Sequence, residues 1–177
     1  MAIANQIFID TTPKLQQMQT GIDTQAVELA RHYARDMNAW EQAFEQEWRA
    51  HSDTYVHGAS EEIMAPYRER DEAIKNRHRE MYRSIFQRYA TEKTRKYGGP
   101  DAPLSAGFPT KYSGIKSDTK ASVEVKSKSR IEVTFDGHTS VNDGLTRFII
   151  LRVGDEWRID SFKYKFEDEE KWINGIL

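Results

Sequence analysis

The stretch "VGDEWRIDSFKYKF", Val153 to Phe166, decides the fold. "GDE" reads as a tight hairpin turn, and the residues after it alternate apolar and polar as a half-buried strand does. Trp157 and Ile159 fall on odd positions, whereas Phe162, Tyr164 and Phe166 fall on even ones. All five face one side only if one extra residue is inserted near Asp160 and Ser161. That insertion is a β-bulge, which also adds twist and bends the strand. The last long strand therefore belongs to a sharply curved sheet.

Working outward, "LTRFIILRV" is apolar enough on both faces to be a central strand, and the turn-rich "DGHTSVNDG" precedes it. Earlier still, Ala121, Val123, Val125, Ser127, Ser129, Ile131, Val133 and Phe135 take odd positions while Glu124, Lys126, Lys128, Arg130, Glu132 and Thr134 take even ones. A period of two held this long means one long curved strand, or two strands in matching parity with a bulge between them at "KSKS". Either way one face is buried and the other is charged.

Before residue 98 the pattern is helical. Thr11, Thr12 and Pro13 break any helix begun earlier, and Asp23 or Thr24 offers an N-cap. Ala26, Ala30, Tyr33, Met37, Trp40, Phe44 and Trp48 then recur at spacings of four and three, a stripe read as core. The opposite face, with Arg31, Arg35, Glu41, Glu45 and Glu47, is read as wet. Gly58 breaks the helix, and Ser60 with Glu61 and Glu62 starts the next. Pro66 sits too deep for a first-turn proline, which predicts a short turn, a kink and a main helix from there. Ile74, Met81, Ile85 or Phe86, and Tyr89 line its inner side, and His78 could face inward with them. "RKYGGP" has the order of a helix end near Tyr97, and "EDEEKWINGIL" predicts a short final helix.

These elements describe one α+β domain over residues 23–177, preceded by a partly ordered lead-in, residues 1–22. Its N-terminal helices pack on a strongly curved antiparallel sheet, and the aromatic stripe fills the concave side of the resulting cone.

Composition narrows the chemistry. The chain has no cysteine, which excludes disulfides, thiolate metal sites and a cysteine nucleophile. It opens without a basic segment followed by an apolar one, and its longest apolar run, "FIILRV", is too short to span a bilayer. A cytoplasmic protein with no membrane partner is expected. Charge is uneven: residues 1–72 carry six basic and thirteen acidic groups, and residues 73–97 carry eight and two, a separation able to orient an encounter with a charged partner. The basic run is scattered around its helix without exposed aromatics between the charges, so nucleic acid is not expected as a partner. His51, Asp53 and His57 lack the spacing and the third ligand of a metal site, and neither a metal nor a cofactor is expected.

"IFQRYATEKTRKYG", then "PTKY", then the alternating strand, then "TRFIILRVGDEWRIDSFKYKF" and "KWINGIL" together resemble the NTF2-fold immunity proteins of bacterial polymorphic toxin systems. The likeness spans roughly Ile85 to Leu177 and is best defined at "RKYG" and "DEWRIDS". It implies an NTF2-like cone and a non-catalytic protein that binds and neutralises a cognate secreted toxin domain. It carries over no catalytic residues. Pairing through the outer sheet face, common on this scaffold, stays open here, because Glu124, Lys126, Lys128 and Arg130 make that face hydrated.

For toxin binding the candidates are the acidic groups Glu41, Glu45, Glu167, Asp168 and Glu169 and the aromatic residues Phe108 and Tyr112 of the connection. The alternative is an enzyme or ligand-binding protein of the ketosteroid-isomerase kind. It would draw its acid, base and oxyanion donor from Asp36, His78, Asp160 and Tyr33 or Tyr82, placed in an apolar cavity of the cone.

Overall fold

The computed structural model describes residues 12–107, 109–138 and 143–177. Two helices, α1 (Thr12–Ser52) and α2 (Glu61–Tyr89), precede five strands: β1 (Ala121–Ser127), β2 (Arg130–His138), β3 (Asp143–Val153), β4 (Glu156–Phe166) and β5 (Ile173–Asn174). The strands lie in chain order, β1-β2-β3-β4-β5, and each adjacent pair is antiparallel. The architecture is the expected α+β cone of NTF2-like type.

The bulge stands where the parity of the sequence demands it. Ile149 of β3 faces Ser161 and Ile150 faces Ile159, so Asp160 is the extra residue of β4. Ile159 and Phe162, on opposite parities, are consequently both buried. The turn before β4 is Gly154 and Asp155, with Gly154 at φ +60°, a conformation that favours glycine. Of the two readings of residues 121–135, two strands is the right one. They fold back on each other at Lys128 and Ser129, with a register shift between Val125 and Ser127. β2 buries Ile131, Val133 and Phe135, but β1 is an edge strand and leaves Val125 exposed.

The cone is packed with rings. Tyr33 of α1 lies 6.0 Å from Tyr89, 5.6 Å from Tyr112 and 5.9 Å from Phe148, centroid to centroid. Phe148 in turn meets Phe135 and Phe162 at 6.1 and 6.2 Å. Each buried ring removes a large apolar area from water, and edge-on pairs of this kind add about 0.5–1.5 kcal/mol each. Between the helices, Trp40 stacks on Tyr82 at 4.7 Å and its indole N–H donates to the His78 carbonyl at 2.9 Å. That bond satisfies the polar atom of an otherwise apolar contact.

Several local expectations are corrected. Helix α1 starts at Thr12 and runs through Asp23 and Thr24, because Pro13 occupies its first turn, where a missing N–H costs nothing. Pro66 lies inside a continuous α2; it deprives only the exposed Glu62 of a carbonyl partner, near the helix start. The same helix ends at Tyr89, well before "RKYGG". Ala90 turns extended and bridges Ile159, and the Thr91 N–H donates to the Ile159 carbonyl at 2.9 Å. The inner stripe of α2 is Ile74, His78, Tyr82, Phe86 and Tyr89; Met81 is exposed. Trp48 is also exposed rather than core.

The final segment forms strand β5 in place of a helix, pairing Ile173 with Tyr164 and Asn174 with Lys163. Gly175 permits it: a side chain there would collide with the Phe162 ring, and its N–H donates to the Phe162 carbonyl at 3.0 Å.

Candidate functional site

At the mouth of the cone lies a cavity of about 420 Å³, lined by Lys111, Tyr112, Leu145, Phe162, Tyr164 and Ile176 among others. Asp36, His78, Asp160, Tyr33 and Tyr82 do not line it. Each of these residues is engaged elsewhere.

Asp36 accepts from the Tyr89 hydroxyl at 2.6 Å and from Arg35 at 2.9 and 3.0 Å. Partial burial works to raise its pKa, but these donors outweigh it and hold the carboxyl below its usual value. In the bulge, Asp160 accepts from Lys93 at 2.6 Å and Thr91 at 3.1 Å, and they lower it in the same way against burial. Both shifts run away from the near-neutral value that a general base needs. His78 is buried beside Phe44, with Nε2 2.9 Å from a Glu47 carboxylate oxygen. Burial pushes Tyr33 well up and, with Glu41 adding, Tyr82 up to about 12. Among the described residues, no group of three or more His, Asp or Glu side chains is placed to hold a metal ion.

The candidate binding residues separate into interior and surface. Glu41 is 1% exposed and accepts the Lys111 backbone N–H at 2.7 Å; burial pushes its pKa up. Tyr112 is 2% exposed, and its N–H donates to the Asn38 side chain at 3.0 Å. These two residues therefore fasten the connection to α1, which corrects the wet position expected for Glu41 and places Tyr112 in the interior. Phe108 lies outside the described residues. Glu45 remains half-buried and pairs with Arg49 at 2.5 Å. Glu167, Asp168 and Glu169 are exposed in the turn between β4 and β5. The Glu169 N–H donates to the Phe166 carbonyl at 3.1 Å, which orders that turn.

Two surface features were missed by sequence reasoning. On the outer sheet face the buried Glu132 carboxylate is gripped by Arg130 at 2.6 Å and Arg147 at 3.2 Å, with the Arg147 guanidinium 4.1 Å from the Trp172 ring centroid. The alternation of β2 located this face, but not the residue that β5 lays across it. At the far end of the helical hairpin, Trp48, Tyr55, Val56 and Ile63 are exposed. Their apolar character was visible in the sequence; that α1 from Trp40 to His51 packs on α2 and leaves these side chains exposed was not.

With this geometry in place, comparison with known proteins becomes informative. The model of the family described as "NTF2 fold immunity protein" matches residues 60–175, most of the chain. Comparison with curated proteins and with solved structures finds no match.

Proposed function

The chain belongs to the NTF2 fold immunity protein family, and from that premise we propose that it binds a cognate secreted toxin domain and neutralises it without catalysis, in the cytoplasm of the cell that makes the toxin. The family match over residues 60–175 is the observation that carries this reading. The geometry supports it in two ways. The cone is filled by Tyr33, Tyr89, Tyr112, Phe148 and Phe162, and among the described residues no carboxylate or histidine side chain lines its mouth cavity. Exposed acidic side chains meanwhile stand together at the Glu167, Asp168 and Glu169 turn, where they offer charge complementarity to a basic toxin. Complementary charge speeds capture, which an inhibitor of an active toxin requires.

The alternative, a small-molecule enzyme or binding protein using the cavity, rests on the cavity's volume and aromatic lining alone. Inducible expression of the C-terminal domain encoded by the open reading frame immediately upstream tests the reading. Co-expression of the two is expected to restore growth and to yield a co-purifying complex. A toxin domain that remains lethal and unbound overturns the proposal.

A further inference from the structure

A second groove, of about 560 Å³, opens between the helices, the residues after α2, and Ile176 and Leu177. Trp40 and Tyr82, stacked at 4.7 Å, form one wall. Arg95, Lys96 and Lys111 also line it. These cations come from two segments, the extended chain that leaves α2 once Ala90 bridges Ile159 and the connection that Glu41 and Asn38 fasten to α1.

Among the described residues, none of the three cations has a carboxylate partner. The Arg95 guanidinium donates only to neutral oxygens: the Thr91 and Lys93 carbonyls at 3.2 and 3.5 Å, and the Thr91 hydroxyl and Asp160 carbonyl, both at 3.4 Å. Its Nε is buried with no partner. Lys111 Nζ donates to the Ile176 carbonyl at 2.9 Å, and Lys96 Nζ lies 5.2 Å from the Tyr97 ring centroid. The neighbouring carboxylates are engaged. Asp101, which lines the groove, pairs with Arg83 at 2.9 Å, and Asp160 pairs with Lys93 at 2.6 Å. Glu41 accepts the Lys111 backbone N–H from inside the core and offsets at most one of the three charges. A positive excess remains.

Tyr82 adds an independent polar group. It is 8% exposed, and its hydroxyl has no hydrogen-bond partner among the described residues. The hydroxyls of Tyr33 and Tyr112 are also unpartnered but are sealed in the core, whereas Tyr82 lines the groove. A buried hydroxyl left unpaired is costly, and a ligand that accepts from it removes that cost. Burial pushes the Tyr82 pKa up to about 12, so the phenol stays protonated and can donate to an anion. We propose that this groove binds a small organic anion, a carboxylate or phosphate head on a flat apolar body, with Arg95, Lys96 and Lys111 around the head, the Tyr82 hydroxyl donating to it and the wall of Trp40 against the body. Apolar walls with a few convergent polar groups are the composition of a small-molecule site. The inference goes beyond toxin binding and does not depend on it.

Calorimetric titration of the full chain with 2-naphthoate, 2-naphthyl phosphate and the neutral 2-naphthamide tests this. At least one anion is expected to bind, with the amide weaker by about 10-fold or more, and the tighter anion identifies the head group. Tyr82→Phe is expected to weaken anion binding about 10-fold without lowering the melting temperature, because the hydroxyl it removes makes no bond within the protein. Lys96→Ala is expected to weaken it about 3-fold, and Lys128→Ala, in the turn between β1 and β2, to leave it unchanged. Absence of binding by either anion, or equal binding of the amide, overturns the inference. A lower melting temperature for Tyr82→Phe also overturns it, by showing that the hydroxyl serves the fold. Binding that neither Tyr82→Phe nor Lys96→Ala reduces would seat the anion in the mouth cavity, which Lys111 lines but Tyr82 and Lys96 do not, and would overturn the assignment to this groove.

Discussion

Asp160 is extruded from β4 toward Thr91: the Thr91 hydroxyl donates to the Asp160 carboxylate at 3.1 Å, one residue after Ala90 has bridged Ile159. The bulge that bends the sheet thus also stops α2, because the residue it displaces collects the chain leaving the helix. Lys93 closes the clamp with a 2.6 Å ion pair, and the Arg95 guanidinium reaches the Asp160 carbonyl at 3.4 Å.

Replacing Asp160 by Asn removes the charge from this clamp while preserving its shape. A loss of about 1–2 kcal/mol is expected in urea unfolding at neutral pH. Burial opposes the low pKa of Asp160, but Lys93 and the Thr91 and Ser161 hydroxyls set it below the unfolded value. The stabilisation is therefore present above the unfolded-state pKa and disappears as the pH falls through the folded one. The gap between wild type and Asp160→Asn should shrink on acidification over that range; a gap that widens would mean the carboxylate is not what holds the clamp.

Glu41 carries the opposite sign. Burial raises its pKa, so protonation favours the folded state, a contribution fully present below the unfolded-state pKa and lost as the pH rises through the folded one. Glu41→Gln keeps an acceptor for the Lys111 N–H and is expected to change neutral-pH stability little. Glu41→Ala strands that N–H and is expected to cost about 1–3 kcal/mol. Equal losses in the two variants, measured by denaturant unfolding, would show that volume and not the hydrogen bond matters at this position.

Gly98 and Gly154 form a matched pair for a backbone test. Both have positive φ, 74° and 60°, but a side chain at Gly98 would collide with the Leu177 backbone, whereas at Gly154 it would meet open space. Gly154→Ala should cost about 1–2 kcal/mol, the ordinary penalty for a left-handed L-residue. Gly98→Ala should cost clearly more, because the chain end bonded to Gly99 must also move. Thermal unfolding of the two variants distinguishes these effects; similar melting points would show that the final segment yields freely.

The curved sheet was legible because strand parity is a discrete property: Ile159 and Phe162 can share a face only across an inserted residue. The core stripe from Ala26 to Phe44 was legible for the corresponding helical reason. The end of α2 was not, since the cap-like "RKYGG" is a good local signal overridden by a long-range bridge from Ala90 to Ile159. Glu41 and Tyr112 escaped because the connection around residue 111 has no periodicity from which burial can be read, and its cover comes from α1. Trp48 illustrates a different limit. Periodicity assigns a face to a helix residue but does not say how far along the helix the opposing surface extends.

Inhibition stoichiometry measures the central claim most directly. Purified toxin domain is titrated with this protein and its residual activity followed over time. A binding inhibitor without catalysis predicts activity that falls linearly, reaches its floor near one equivalent and does not drift on longer incubation. Unchanged activity at excess protein, or progressive inactivation by a small fraction of an equivalent, would contradict the account, the second outcome by showing turnover.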